Sequence, residues 1–350
     1  MKATVFSSEP TIEQIIGRKL LISLPGVSLS DSTLILAKQW IDKEQIGGII
    51  FFEYNIESKN QIQSLIRNLK KDAPFLPIFA VDEEGGYVKR LKKKKGFLSL
   101  PSAKWIAQNK NVEDSQKIYF KHSQELQSLG FNVNLAPVVD LDINPKSPAI
   151  GKANRSFSKD PKTVIKFAKT MIDAMEASEI IPTLKHFPGH GSAENDSHLG
   201  LTNISGTWTQ KELAPFEYFI KNETPIIILI GHLYHDQIDS LYPATMSAKT
   251  IQGLLRNKLG FHGVVLSDDL QMGALTAQYS IEDIVIESIR AGNDLLQFSD
   301  PLKIDENFPQ WFYTTVAKAM DEGIIDKHEL EKSFYRIDKL TAKPSIIFLK

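Results

Sequence analysis

Short apolar runs rich in β-branched residues recur along the chain at 47–52, 77–81, 132–139, 181–184, 225–230, 263–266 and 294–298. Between most of them lie longer segments whose apolar positions repeat at helical spacing, at 56–69, 114–129, 161–177, 247–259 and 281–291. This alternation, sustained through the whole length, predicts parallel strands joined by crossover helices. Two further helical patterns, 307–320 and 328–340, are expected to pack on the outside, so that 301–350 forms C-terminal outer helices. No low-complexity linker divides the chain.

The distinctive polar residues sit just beyond the apolar runs: Asp82, Asp140, Lys185 and His186, His232, and Asp268. In a barrel of alternating strands and helices, those positions are the C-terminal strand ends, where loops build an active site. The pattern therefore favours a single α/β domain over 1–350, a (β/α)8 TIM-type barrel, rather than two doubly wound halves. A length of 350 residues suits either. Seven strands are located by their runs. The remaining one is expected near 275–277, and the first or second strand is expected to be irregular.

Composition narrows the function more than the fold. The 41 basic and 42 acidic residues nearly cancel, which removes the footprint of a dedicated nucleic-acid binder and points to a neutral or modestly charged substrate. No apolar run is long enough to span a bilayer, and the first twenty residues lack the apolar stretch of a secretory signal, so a cytoplasmic protein without membrane partners is expected. With no cysteine, a disulfide framework, a thiolate nucleophile and a cysteine-ligated zinc site are excluded.

Three segments could carry chemistry. In Lys185-His186-Phe187-Pro188-Gly189-His190-Gly191, followed by Asn195-Asp196-Ser197-His198, a strand runs into a loop whose glycines permit backbone excursions. In extended backbone Asp196 and His198 point to the same side, so the carboxylate could orient the imidazole and raise its pKa, as a general acid/base requires. A polar surface loop, or a metal site built from His186, His190 and His198 with His232 and His235 in reserve, are the simpler alternatives; no compact HExxH spacing supports zinc.

The second segment is Gly263-Val264-Val265-Leu266-Ser267-Asp268-Asp269-Leu270-Gln271-Met272, a buried strand ending in two carboxylates. Only one of the pair can follow the strand's inward direction; the other suits a cap for the following turn. The third is Val81-Asp82-Glu83-Glu84-Gly85-Gly86 with Arg90 beyond it, where carboxylate and guanidinium together suit a polyhydroxylated ligand. Glu83 and Glu84 read as turn, cap or supporting groups, Arg155 by default as an exposed arginine, and the run Lys92 to Lys95 as a solvated loop.

Together, DEEGG, NRSFS, KHFPGHG with DSH beyond it, and SDDLQM resemble glycoside hydrolase family 3, and within it the single-domain bacterial β-N-acetylglucosaminidases of cell-wall recycling, from about 47 to 298. The resemblance implies that Asp268 is the nucleophile, His198 the acid/base and Asp196 its partner on a mobile loop. It also implies that Asp82, Arg90, Arg155, Lys185 and His186 line the sugar subsite, with no metal or organic cofactor, and that a small glycoside is the partner; a monomer is expected. Tyr87 stands where relatives commonly carry arginine, and 152–154 looks like a small insertion before Arg155. A phosphorylase on the same scaffold and a non-catalytic sugar-binding protein are the competing readings.

Overall fold

The computed structural model describes residues 9–195, 200 and 202–342. Eight parallel strands close into a barrel: β1 Leu20–Ile22, β2 Gly48–Phe51, β3 Ile78–Val81, β4 Val133–Asn134, β5 Ile181–Phe187, β6 Ile227–Ile230, β7 Val264–Asp269 and β8 Leu295–Phe298. Each strand pairs with its chain neighbours, and β1 pairs with β8 to complete the ring. The barrel anticipated from the alternation is thus present.

One strand lies elsewhere than expected. Residues 273–276 form a short helix, Gly273–Thr276, and the missing strand is β1 at Leu20–Ile22. Its apolar run is only three residues long and follows two charged residues, Arg18 and Lys19. Both are in fact buried: the Arg18 guanidinium pairs with Glu44 at 3.2 Å and lies 3.7 Å from the centre of the Phe75 ring. Lys19 Nζ donates to Ser333 Oγ at 2.7 Å and to the Asn293 carbonyl at 3.0 Å. Burial lowers the Lys19 ammonium to about 7.

Two apolar layers hold the barrel. Residues alternate across a strand, so one set points inward: Leu21, Ile50, Ile78, Ala80, Val133, Ile227, Leu229, Val264, Leu266 and Leu295 fill the interior. The opposite set, including Phe79, Phe187, Ile228, Val265 and Phe298, meets the helices in a second layer with Ile62, Leu126, Ile172 and Phe216. The helices start and stop where local chemistry dictates. Ser58, Asn111, Asp160 and Ser280 accept backbone N–H groups at the N-termini of Lys59–Lys70, Val112–Leu129, Pro161–Glu176 and Ile281–Ala291. Beyond β8 the chain forms two more helices, Phe308–Asp321 and Lys327–Thr341.

Asp294, fully buried at the start of β8, accepts from Arg256 Nη2 at 2.8 Å, from Arg336 at 2.9 and 2.8 Å, and from the Val265 N–H at 2.8 Å. It thereby ties β7, β8 and the last helix together. Among the described residues no helix is long and apolar enough to cross a membrane.

Candidate active site

At the C-terminal mouth of the barrel, β3 delivers the first functional side chain. Ile78 and Ala80 point inward, and alternation carries Asp82 to the same face. Asp82 Oδ1 accepts from Lys185 Nζ at 2.8 Å and Oδ2 from Arg90 Nη2 at 3.0 Å. Burial raises this carboxyl, but the Lys185 and Arg90 charges outweigh it and hold it well below the usual range. The Arg90 guanidinium also lies 5.2 Å from the centre of the Phe52 ring, at the end of β2.

Lys185 and His186 come from the end of β5, where pairing with β6 shifts register between Leu184 and Phe187. Lys185 Nζ reaches Glu84 Oε1 at 2.6 Å as well as Asp82. Arg155 meets the same Glu84 with two parallel bonds, Nε to Oε2 at 2.8 Å and Nη2 to Oε1 at 2.7 Å, and its side chain is only 9% exposed. Its Nη2 also donates to His186 Nε2 at 3.2 Å. Nε2 is therefore the acceptor nitrogen, and Nδ1–H donates to Asp140 Oδ2 at 2.7 Å. The five residues expected to line a sugar subsite, Asp82, Arg90, Arg155, Lys185 and His186, are thus joined in one hydrogen-bonded cluster through Glu84.

The sequence marks Asp140 as a strand-end polar residue and Glu84 as a turn, cap or supporting group without assigning either to the sugar subsite. A carboxylate's role depends on which cations face it, and those lie far along the chain. Asp140 is wholly buried and organises the turn after β5: Oδ1 accepts from the His186 N–H at 3.1 Å and the His190 N–H at 2.7 Å. Burial raises its carboxyl and the facing His186 lowers it, leaving it depressed.

The turn is also pinned by Glu212, whose Oε2 accepts from the Gly191 N–H at 3.0 Å. Glycine is required at both flanks of His190. Gly189 has φ +127°, and a Cβ at Gly191 would stand 1.7 Å from the Leu141 carbonyl oxygen. His190 lies in this turn with its ring 5.6 Å from that of His186. Asp196 and His198, the expected acid/base pair, lie outside the described residues.

Across the mouth is β7, four strands from β3 in a ring of eight. Val264 and Leu266 point into the interior, and alternation carries Asp268 to that face. Asp268 Oδ1 accepts the Asp269 N–H at 2.9 Å. The β7–β8 ladder shifts register beside this pair, as strands often do where a side chain must be aimed. Asp269 is committed to backbone: its Oδ1 accepts from the Gln271 N–H at 3.1 Å and the Ser299 N–H at 3.2 Å. Burial raises its carboxyl. His232 Nε2–H donates to the Asp269 carbonyl at 2.8 Å, and Nδ1 faces Thr245 Oγ1 at 2.7 Å, so this buried histidine supports the strand end.

No group of three or more histidine and carboxylate side chains suited to a metal ion occurs among the described residues. Lys92 pairs with Glu53 at 3.2 Å, and Lys95 Nζ donates to the Ile56 carbonyl, so the lysine run braces the loop after β2. A cavity of about 640 Å³ opens at the other end of the barrel, beside the strand starts at Ile181, Ile226 and Val264. It is remote from the polar cluster.

A model of the glycosyl hydrolase family 3 N-terminal domain matches residues 27–340. The β-hexosaminidase A of Pseudoalteromonas piscicida is 31% identical over 97% of this chain and 62% of its own length. The β-hexosaminidase of Nitrosomonas eutropha is 32% identical over 89% of this chain and 93% of its own. The solved structure of a glycoside hydrolase family 3 β-N-acetylglucosaminidase from Paenibacillus sp. aligns with a TM-score of 0.86 and 27% identity, covering 97% of this chain and 65% of that one. The chain therefore spans less than two thirds of the Pseudoalteromonas and Paenibacillus proteins and nearly all of the Nitrosomonas one.

Proposed function

Because the chain belongs to glycosyl hydrolase family 3, we propose that it removes terminal β-linked N-acetylglucosamine from small glycosides, cell-wall muropeptide fragments among them, with retention of configuration. The observation that carries this reading is the position of Asp268 on β7, across the barrel mouth from the Asp82–Lys185–Glu84–Arg155–His186 cluster on β3, β5 and the loops that follow the strands. A pyranose bound between them presents its hydroxyls to the cluster and its anomeric carbon to the carboxylate.

The cluster is built for a polyhydroxylated ligand. Asp82 is held as an anion able to accept from sugar hydroxyls, while Arg90 and Lys185 supply donors beside it. The ion pairs fix these side chains in place before the sugar arrives, so little ordering entropy remains to be lost on binding.

In the chemical step the Asp268 carboxylate attacks the anomeric carbon as His198 protonates the departing glycosidic oxygen. A covalent glycosyl-aspartate results, and the aglycone leaves as an alcohol. His198, now neutral, takes a proton from water as the water attacks the same carbon. The sugar is released with its configuration retained and Asp268 regenerated. Asp196 orients the His198 ring. The strand-borne nucleophile is fixed by the Asp269 N–H and by His232 behind it, whereas the acid/base is carried on the glycine-flanked loop.

The test is mass spectrometry of the protein and its peptides after incubation with 5-fluoro N-acetylglucosaminyl fluoride. An adduct on Asp268 is expected. No adduct on any residue, with N-acetylglucosamine still bound, would instead indicate a sugar-binding protein. A phosphate-dependent rate with a sugar 1-phosphate product would make the enzyme a phosphorylase.

A further inference from the structure

Directly behind Asp82, the neighbouring Glu83 points away from the sugar cluster into the packing between β3 and the helix Val112–Leu129. It is wholly buried. Its backbone is held by Asn134, which accepts the Glu83 N–H at 3.0 Å and donates to the Glu83 carbonyl at 3.1 Å. Its side chain divides its two oxygens between different tasks. Oε2 accepts the Arg90 N–H at 2.7 Å and the Leu91 N–H at 2.9 Å, while Oε1 faces Nε2 of His122, also buried, at 3.4 Å. Neither Oε1 nor His122 Nε2 makes a hydrogen bond to any of the described residues, so each is left facing the other.

A buried carboxylate beside a buried neutral imidazole would be costly unless a proton lay between them. The surroundings favour uncharged forms of both groups: burial lifts the Glu83 carboxyl to about 8 and lowers the His122 imidazole to about 4. The other charges nearby are Arg90 and Lys89 on the loop and Glu125 on the helix. Glu125 is itself engaged, by Lys59 at 2.6 Å and by the Leu98 N–H at 2.9 Å.

We propose that Glu83 is a positioning residue for sugar recognition: as the acid it donates Oε1–H to His122 Nε2, and with Oε2 it clamps the backbone at 90–91, setting the Arg90 guanidinium against Asp82. The geometry leaves this clamp as the means by which the loop's return is registered on β3. The loop leaves at Glu84, turns with the Glu84 N–H donating to the Val88 carbonyl at 3.1 Å, and comes back beside the residue it started from. Two backbone donors would otherwise be buried without acceptors, so losing the carboxyl moves the chain at Arg90 rather than merely leaving a void. The proposal rests on the reading that Arg90 contacts the sugar.

The experiment is the affinity for N-acetylglucosamine, with kcat and KM on an aryl N-acetylglucosaminide, for Glu83→Gln, Glu83→Ala, His122→Ala, Arg90→Ala and the double variant Glu83→Ala/Arg90→Ala. The glutamine, which keeps one acceptor oxygen and one donor, is expected within about twofold of the parent in Kd and KM. Glu83→Ala and Arg90→Ala are each expected to raise KM about tenfold with a much smaller change in kcat, and the double variant to be no worse than Arg90→Ala alone.

If Glu83→Ala does not fold, Glu83→Gln and His122→Ala still decide. A glutamine variant as weak as Arg90→Ala would show that the carboxylate charge is needed and overturn the proposal. Unaltered sugar affinity in His122→Ala would likewise remove the paired acid. Additive losses in the double variant, or a weakened Arg90→Ala beside an unchanged Glu83→Ala, would also overturn it. If Arg90→Ala alone leaves binding unchanged, the reading of Arg90 as a sugar ligand fails first, and the proposal with it.

Discussion

Replacing Glu212 by glutamine should flatten the dependence of stability on pH. Glu212 lies fully buried under the turn at 189–192, with its Oε2 on the Gly191 N–H at 3.0 Å and with Ser192 and the Asp140 charge nearby. Burial pushes its carboxyl from an ordinary 4.5 to about 7. A folded-state value above the unfolded one means that the stabilising contribution is complete below pH 4.5 and is lost as the pH rises through 7. With each tenfold change in proton affinity worth ~1.4 kcal/mol, the parent loses about 2–3 kcal/mol from this group between about pH 5 and pH 8.

Glutamine has nearly the same shape, keeps an acceptor for the Gly191 N–H and does not titrate. Urea unfolding of both proteins at the two pH values gives the comparison. The variant should gain about 2–3 kcal/mol on the parent in going from the lower to the higher pH, with equal m-values. A difference that does not change with pH would mean that Glu212 is already ionised across this range, and the reasoning from burial would be refuted.

His198→Ala should slow turnover of substrates with poor leaving groups by about 100-fold or more and spare activated aryl glycosides, because only the former need protonation. An equal loss across a leaving-group series would remove the acid role. Asp294→Ala should destabilise the fold by about 3–5 kcal/mol in chemical denaturation, since it leaves the Arg256 and Arg336 charges facing each other without their carboxylate. A loss under about 1 kcal/mol would show that these charges are solvated instead.

At the acid end, Asp82, Glu84 and Asp140 all have folded-state values below their unfolded ones, so the stability they contribute is present above about pH 4–5 and lost as the pH falls through the depressed values. The melting temperature should fall steeply there, and Asp82→Asn should show a shallower acid limb. Parallel limbs would contradict the assignment.

Seven of the strands and most of the helices between them were legible because each rests on a local regularity: short β-branched apolar runs for the strands and helical spacing of apolar positions between them. β1 escaped because three residues are too few to show a period and because the preceding Arg18 and Lys19 carry charges that ordinarily face water. Arg155, by default an exposed arginine, turns its side chain inward because Glu84 offers a bidentate partner 71 positions earlier in the chain. Glu83, Glu212 and Asp140 carried no local signal that would separate a supporting carboxylate from a cap.

The order of seven of the eight strands and of most helices between them follows from the sequence, as does the emergence of Asp82 and Asp268 at one end of the barrel, since both sit just beyond strand runs. The sequence also supplied the paired glycines that let the chain turn after His186. Tertiary structure alone decided which charges met: Lys185 between Asp82 and Glu84, Asp140 behind His186, and Glu83 against His122. Periodicity is a property of neighbouring residues, whereas desolvation and Coulomb interactions depend on groups brought within a few ångströms by folding. For that reason the same residue type, glutamate, is held as an anion at position 84 and favoured as an acid at position 83.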